Sequence, residues 1–163
     1  MHHSILPWQA NVIGASSATR MPHLPRHKMN MPCAAQFTAN SNFRILLIDD
    51  NVDANESMAA LLKLLDYDVR TAKDGETGLE VAVEFEPHLV LSDIGLPGMD
   101  GYQLAPALRK AAGSRKLVLA ATTGYGLASD RLRSQEAGFD YHLVKPLDAD
   151  ALLDFIARQL ATY

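Results

Sequence analysis

Three carboxylates, two threonines and a lysine stand where short apolar runs end. Asp49 and Asp50 close the run Phe43-Arg44-Ile45-Leu46-Leu47-Ile48, and Asp93 closes His88-Leu89-Val90-Leu91-Ser92. A third run ends in Thr122-Thr123, and a fourth, Tyr141-His142-Leu143-Val144, ends in Lys145-Pro146. Mg²⁺ prefers near-octahedral oxygen ligands and takes one or two carboxylates, with water and phosphate oxygens completing its shell. Asp49 and Asp50 are adjacent, so one can ligate directly and the other through water. A carboxylate oxygen can also act as a nucleophile and form an acyl phosphate. The lysine ammonium and the Thr123 hydroxyl can then face the non-bridging oxygens of that phosphoryl group. Each feature alone has a plainer explanation: an Asp pair caps helices, Lys-Pro makes surface turns, and Thr ends many strands. Their combination on matching edges of consecutive strands favours the chemistry.

Those edges depend on the elements between them. Each apolar run is short, rich in Leu, Ile and Val, and followed by a helical pattern, which predicts buried parallel strands joined by crossover helices. The first helix is expected over Val52 to Leu65, with Met58, Leu61, Leu62 and Leu65 on one face. Val69 to Ala72 is a second strand, and Gly75 to Phe85 a second helix with Leu79, Ala82 and Val83 turned inward, stopped by Pro87. After Asp93 the loop Leu96 to Gly101 leads to a helix from Tyr102 to Ala112, then a strand from Leu117 to Thr122. A helix from Ser129, read as its N-cap, to Ala137 is closed by Gly138. Asp148 caps the last helix, which carries Leu152, Phe155, Ile156 and Leu160. Five β–α units of this kind predict a three-layer αβα sandwich, flavodoxin-like, with a five-stranded parallel sheet in the order 2-1-3-4-5. Ligands in such sheets lie beyond the carboxyl ends of the strands, where the Asp, Thr and Lys residues converge. Asp93 is the candidate nucleophile because its strand is central, between the Asp pair and the Thr and Lys side.

Composition narrows the surroundings. The 163 residues carry a net charge of −4, unevenly spread. Residues 1–42 hold Arg20, Arg26 and Lys28 and no acid, whereas the remainder holds 12 basic and 19 acidic side chains. An acidic body is a poor non-specific ligand for nucleic acid. Cys33 is the single cysteine, which excludes an internal disulfide framework and suits a reducing compartment. No run reaches the ~18–20 apolar residues of a membrane span. Pro7, Asn11 and Ser16-Ser17 interrupt any secretory core at the N-terminus. The sequence therefore predicts a cytoplasmic protein without membrane insertion. Residues 1–42 lack periodicity and read as a disordered tail or linker remnant, in which His2, His3, His23 and His27 are solvated side chains rather than metal ligands.

Residues 43–161 resemble a receiver domain of bacterial two-component signalling. The matching stretches are Ile45 to Asn51, Leu91 to Gly101, Thr122 to Gly126 and Leu143 to Pro146, and the domain is taken as residues 43–163. Spacings agree as well: 43 residues from Asp50 to Asp93, 30 from Asp93 to Thr123 and 22 from Thr123 to Lys145. The wording Ala137 to Pro146 is most similar to receivers attached to hybrid histidine kinases. The resemblance implies that Asp93 accepts phosphate from a phosphohistidine, and that Asp49, Asp50 and Asp93 with the Gly95 carbonyl hold Mg²⁺. It implies that Thr123 swings toward the phosphoryl group, that Lys145 pairs with it, and that the Lys145–Pro146 bond is cis. His142 takes the place of the family's rotating switch residue; its imidazole either swings or is a fixed partner of a neighbouring carbonyl. Gly95 and Tyr125 occupy positions that tune dephosphorylation, with Tyr125 shielding the acyl phosphate.

Other classes fit less well. Haloacid-dehalogenase-type phosphohydrolases, which share an Asp nucleophile, need Asp-x-Asp after the first strand, where this chain has Asn51 two beyond Asp49. A calcium loop starting at Asp49 fails at Ala54 and Ala60, and no Gly-Lys-Ser/Thr phosphate loop is present. The expected function is a phosphoacceptor in a phosphorelay, not an enzyme beyond its own phosphorylation and dephosphorylation. Because Tyr163 follows the last helix closely, the expectation is a single-domain response regulator; a receiver module detached from a hybrid histidine kinase is the alternative. Its partners would be a histidine kinase or histidine phosphotransfer protein and a downstream protein reached by docking.

Overall fold

A computed structural model of the chain describes residues 42–124 and 128–163, with Ala128 described in its backbone only. The expectations for the N-terminal tail, for Cys33 and for Tyr125 lie outside the described residues. Five strands, β1 (Arg44–Ile48), β2 (Asp68–Ala72), β3 (Leu89–Asp93), β4 (Val118–Thr123) and β5 (Tyr141–Val144), form one sheet. They alternate with α1 (Val52–Leu64), α2 (Gly75–Phe85), α3 (Gly101–Ala112), α4 (Ala128–Ala137) and α5 (Ala149–Ala161). The sheet is parallel throughout, and its order is β2-β1-β3-β4-β5, as the sequence predicts.

Burial explains which strands are central. All six residues of β4 are buried, as are four of five in β1 and in β3, because helices cover both faces of the sheet. Alternation along the strands sorts these residues into two cores. Ile45, Leu47, Leu89, Leu91 and Ala120 pack with Leu62 of α1 and Leu152, Phe155 and Ile156 of α5. Leu46, Ile48, Val90, Leu119 and Ala121 pack with Ala82 of α2 and Leu104, Ala105 and Leu108 of α3.

Side-chain caps start four helices. Asn51 accepts the Ala54 N–H, Asp74 that of Thr77, Asp100 that of Gln103 and Asp148 that of Ala151. Two local expectations change. Val83 is 59% exposed, since Gly78, Ala82 and Phe85 form the buried face of α2 and Val83 is turned ~100° from Ala82. Ser129 lies within the first turn of α4 instead of capping it, because the helix already begins at Ala128.

Candidate functional site

The period-two geometry of a strand decides which side chains meet at the carboxyl edge of the sheet. Ile45 and Leu47 face α1 and α5, so two residues further along the backbone Asp49 continues toward that side. Leu89 and Leu91 lead in the same way to Asp93, and Tyr141 and Leu143 lead to Lys145. Parallel register brings the ends level: Ile48 pairs with Ser92, Asp93 with Thr122, and Thr123 with Val144. Lys145 consequently reaches across β4 to both acids. Its Nζ donates to Asp49 Oδ2 at 2.7 Å and to Asp93 Oδ2 at 2.6 Å. Burial works against the Lys145 charge, but the hydrogen bonds to Asp49 and Asp93, with the charges behind them, hold its pKa above the usual lysine value.

The remaining carboxylate oxygens are fixed by backbone amides. Asp49 Oδ1 accepts the Asn51 N–H at 3.0 Å, and Asp93 Oδ1 accepts the Gly95 N–H at 3.0 Å. Asp50 is exposed beside them. Asp49, Asp50 and Asp93 each offer an oxygen, and these oxygens lie within 4.8 Å of one another. Three hard oxygen donors at that separation fit a small divalent cation such as Mg²⁺, whose charge would offset their mutual repulsion. Gly101, at the start of α3, is required at the back of the site. A Cβ there would come within 2.9 Å of the Asp93 carbonyl and 2.8 Å of Ile94 Cα.

The two threonines part company. Thr122 pairs with Asp93 and lines an apolar cavity of about 510 Å³ between α1 and the start of α5, with Leu47, Met58, Leu91 and Leu152. Thr123 is also buried but follows Ala121 on the opposite face of β4. His142 pairs with Ala121 and therefore shares the face of Thr123. Its Nδ1 lies 3.1 Å from the Ser134 Oγ hydroxyl. The Lys145–Pro146 peptide bond is cis.

Two residues that position the site escaped the sequence analysis. Asn55 is 6% exposed, and its amide donates to the Ala72 carbonyl at 2.9 Å and to the Leu47 and Asp49 carbonyls at 3.4 Å. It thus ties α1 to the ends of β1 and β2 beside Asp49. Its signal was present: an amide in line with the buried Ala59 and Leu62 four and seven residues on. Arg109 donates to the Gly138 carbonyl at 2.9 and 3.1 Å and meets Asp140 Oδ2 at 2.6 Å, fixing the α4–β5 corner. Nothing in local periodicity marks Arg109, because the Gly138 and Asp140 partners that fix the corner are 29 and 31 residues away.

A doubly wound α/β sheet with an acid-and-lysine centre at its carboxyl edge defines the class of molecule. Within it, the chain belongs to the response regulator receiver domain family, whose model matches residues 45–157. It is 32% identical over 110 residues to the DNA-binding dual master transcriptional regulator RpaA of Synechocystis sp., covering 68% of this chain and 46% of that protein. It is 34% identical over 119 residues to the sensor histidine kinase RcsC of Salmonella typhi, covering 73% of this chain and 12% of the kinase. The transcriptional regulatory protein HprR of Escherichia coli is 35% identical over 117 residues, 72% of this chain and 51% of HprR. The chain thus spans about half or less of the curated relatives it matches. Among solved structures, a CheY-like response regulator receiver domain protein from Methanospirillum hungatei superposes with a TM-score of 0.68 at 29% identity, over 74% of this chain and 94% of that one. The chain therefore carries a receiver domain of two-component systems, a signalling domain of the flavodoxin-like fold. No helix among the described residues is long and apolar enough to cross a membrane.

Proposed function

We propose that this chain accepts a phosphoryl group from a phosphohistidine onto Asp93 and switches its protein contacts in response. The supporting observation is the Lys145 ammonium held between Asp93 and Asp49, with Asp50 close by. Asp49, Asp50 and Asp93, with the Gly95 carbonyl, are the residues that would hold Mg²⁺. The bound cation would supply positive charge to the phosphoryl oxygens. A carboxylate oxygen of Asp93 attacks phosphorus and the P–N bond breaks. Its electron pair returns to the donor imidazole, whose other nitrogen carries a proton. Lys145 stands by to leave Asp93 Oδ2 for a phosphoryl oxygen, since it already reaches that position. Thr123 takes another phosphoryl oxygen, drawing the loop after β4 toward the site, and His142, on the same face, is the switch residue. The Gly95 N–H keeps the second Asp93 oxygen in place during attack.

The donor is a histidine kinase or histidine phosphotransfer protein docking against α1 and the rim of the site. A target protein reads the face formed by α4, β5 and α5, where Leu132, Tyr141 and Val144 are exposed. This chemistry is common to a single-domain regulator, to the receiver of a longer transcriptional regulator and to a receiver within a larger kinase, the settings its relatives suggest. Intact-mass measurement after incubation with acetyl phosphate and Mg²⁺ tests the proposal. One phosphoryl adduct that requires metal and is absent in Asp93→Asn is expected. An adduct of equal yield in that variant would move the phosphoacceptor elsewhere.

A further inference from the structure

The fourth helix is attached to the body differently from its neighbours. The other helices bury Leu, Phe or Ile side chains in the two cores. In α4 the buried side chain among the described residues is Ser134, 1% exposed, while Leu132 is 59% exposed. The Ser134 hydroxyl has two polar neighbours. It lies 2.7 Å from the Asp130 carbonyl, which can only accept, so the hydroxyl proton points there. The same oxygen is 3.1 Å from His142 Nδ1. With its proton committed, Ser134 can only accept from the ring, which places the imidazole proton on Nδ1. In the neutral ring Nε2 is then a bare acceptor. It is buried and has no partner among the described residues.

We propose that Ser134 is the positioning residue of the His142 switch, seating the ring against α4 in its Nδ1–H form while Nε2 has no partner among the described residues. This rests on the reading of His142 as the switch. The seated ring gains the Ser134 bond and forgoes an acceptor interaction. The ring turned to solvent hydrates Nε2 and forgoes Ser134. Two opposed terms of similar kind bring the orientations close in free energy, as a two-state element requires. The far end of α4 is pinned through the Gly138 carbonyl by Arg109, so release of the ring loosens the helix from its N-terminal side. Thr123 lies two residues beyond the β4 partner of His142 and on the same face, which gives the ring a direct route to the phosphorylation site.

The test uses the full chain with ¹⁵N-labelled histidine in mildly alkaline solution, reading the His142 tautomer from long-range proton–nitrogen correlations. The signal is assigned by its loss in His142→Phe. Wild type is expected in the Nδ1–H form, Ser134→Thr is expected to keep it, and Ser134→Ala is expected to revert to the Nε2–H form that dominates free imidazole. Amide exchange over residues 129–137 should rise about tenfold in Ser134→Ala, the weight of one hydrogen bond. An Nε2–H ring in wild type overturns the proposal, even where Ser134→Ala fails to fold, and so does an unchanged tautomer in a folded Ser134→Ala. Adduct formation at Asp93 is measured in parallel. Its absence removes the switch on which the proposal rests while leaving the tautomer result standing. An adduct with the wrong tautomer removes Ser134 alone.

Discussion

At the carboxyl ends of the strands Asp49, Asp93 and Lys145 face one another with side chains 18%, 16% and 30% exposed, whereas at the amino ends Phe43, His88 and Tyr163 stack together. Phe43 is 2% exposed; its ring lies 5.4 Å from that of His88, and the His88 and Tyr163 rings are 4.4 Å apart. Lys116 covers Tyr163 and hydrogen-bonds the Thr162 carbonyl. The two histidines among the described residues divide along the same line. His88 Nδ1 accepts the Arg44 N–H at 3.0 Å, so its neutral form carries the proton on Nε2, the reverse of His142. One edge is apolar packing with its polar groups paired. Among the described residues, the other gathers like charges around a single lysine, and near it the His142 Nε2 has no partner. Such an edge gains little stability from its own contacts, and the packed edge and the two cores hold it in place.

That contrast can be broken by substitution at either edge. Phe43→Ala is expected to lose ~3–5 kcal/mol in denaturant unfolding, as for other buried aromatics, while the folded fraction still forms the Asp93 adduct. A loss below ~1 kcal/mol would show that the aromatic edge is no anchor. Lys145→Met leaves Asp49 and Asp93 facing each other without their cation. With all three groups part-exposed the loss should be ~1–3 kcal/mol, read from the same curves. Mg²⁺ at ten times its dissociation constant should restore ~1.4 kcal/mol to wild type, and the gain should vanish when Asp49 and Asp50 are both changed to Asn. An undiminished gain would place the cation outside the carboxylate cluster.

The pH response sharpens the comparison from the packed edge. Burial, then the Arg44 and Arg115 charges, push the His88 pKa below the ordinary imidazole value. A depressed folded pKa means that the unfolded chain binds the proton first as pH falls. The His88 contribution is therefore complete above about 6.5 and is lost as pH drops through the lower folded value. Denaturation midpoints across that window should fall with pH in wild type and fall less in His88→Phe; equal slopes would dismiss the effect. The smallest effect is a null one. Phe43 and Lys145 lie beyond opposite ends of strands that are ~17 Å long, so the losses in Phe43→Ala and Lys145→Met should add to within ~0.5 kcal/mol.

Much of this was legible in residue order. Apolar runs closed by Asp49, Asp93 and Lys145 announced parallel strands whose ends meet at one edge, while the side of the sheet those side chains take follows from how the alternate residues before them pack. Asp148 was readable as a cap; Asn51, Asp74 and Asp100 cap by the same kind of local side-chain bond but were not singled out, and Ser129, read as a cap, lies inside its helix. The face of α2 was harder to read, because Val83 is as apolar as the residues that point inward. Only packing shows that glycine fills the close approach to Ile48, where a Cβ on Gly78 would fall 2.6 Å from Ile48 Cδ1.

The sequence by itself determined the order of the elements, the chemistry gathered at one edge and the family to which the chain belongs, since periodicity, turn residues and spacing are properties of neighbours along the chain. Tertiary structure alone decided that one ammonium bridges two acids 52 and 96 residues away, that Thr122 faces a cavity while Thr123 shares a face with His142, and that Ser134 meets the His142 ring. Those outcomes depend on register between strands and on the angle at which a helix lies against the sheet. Both are set by how two cores close-pack, which no local stretch of sequence encodes.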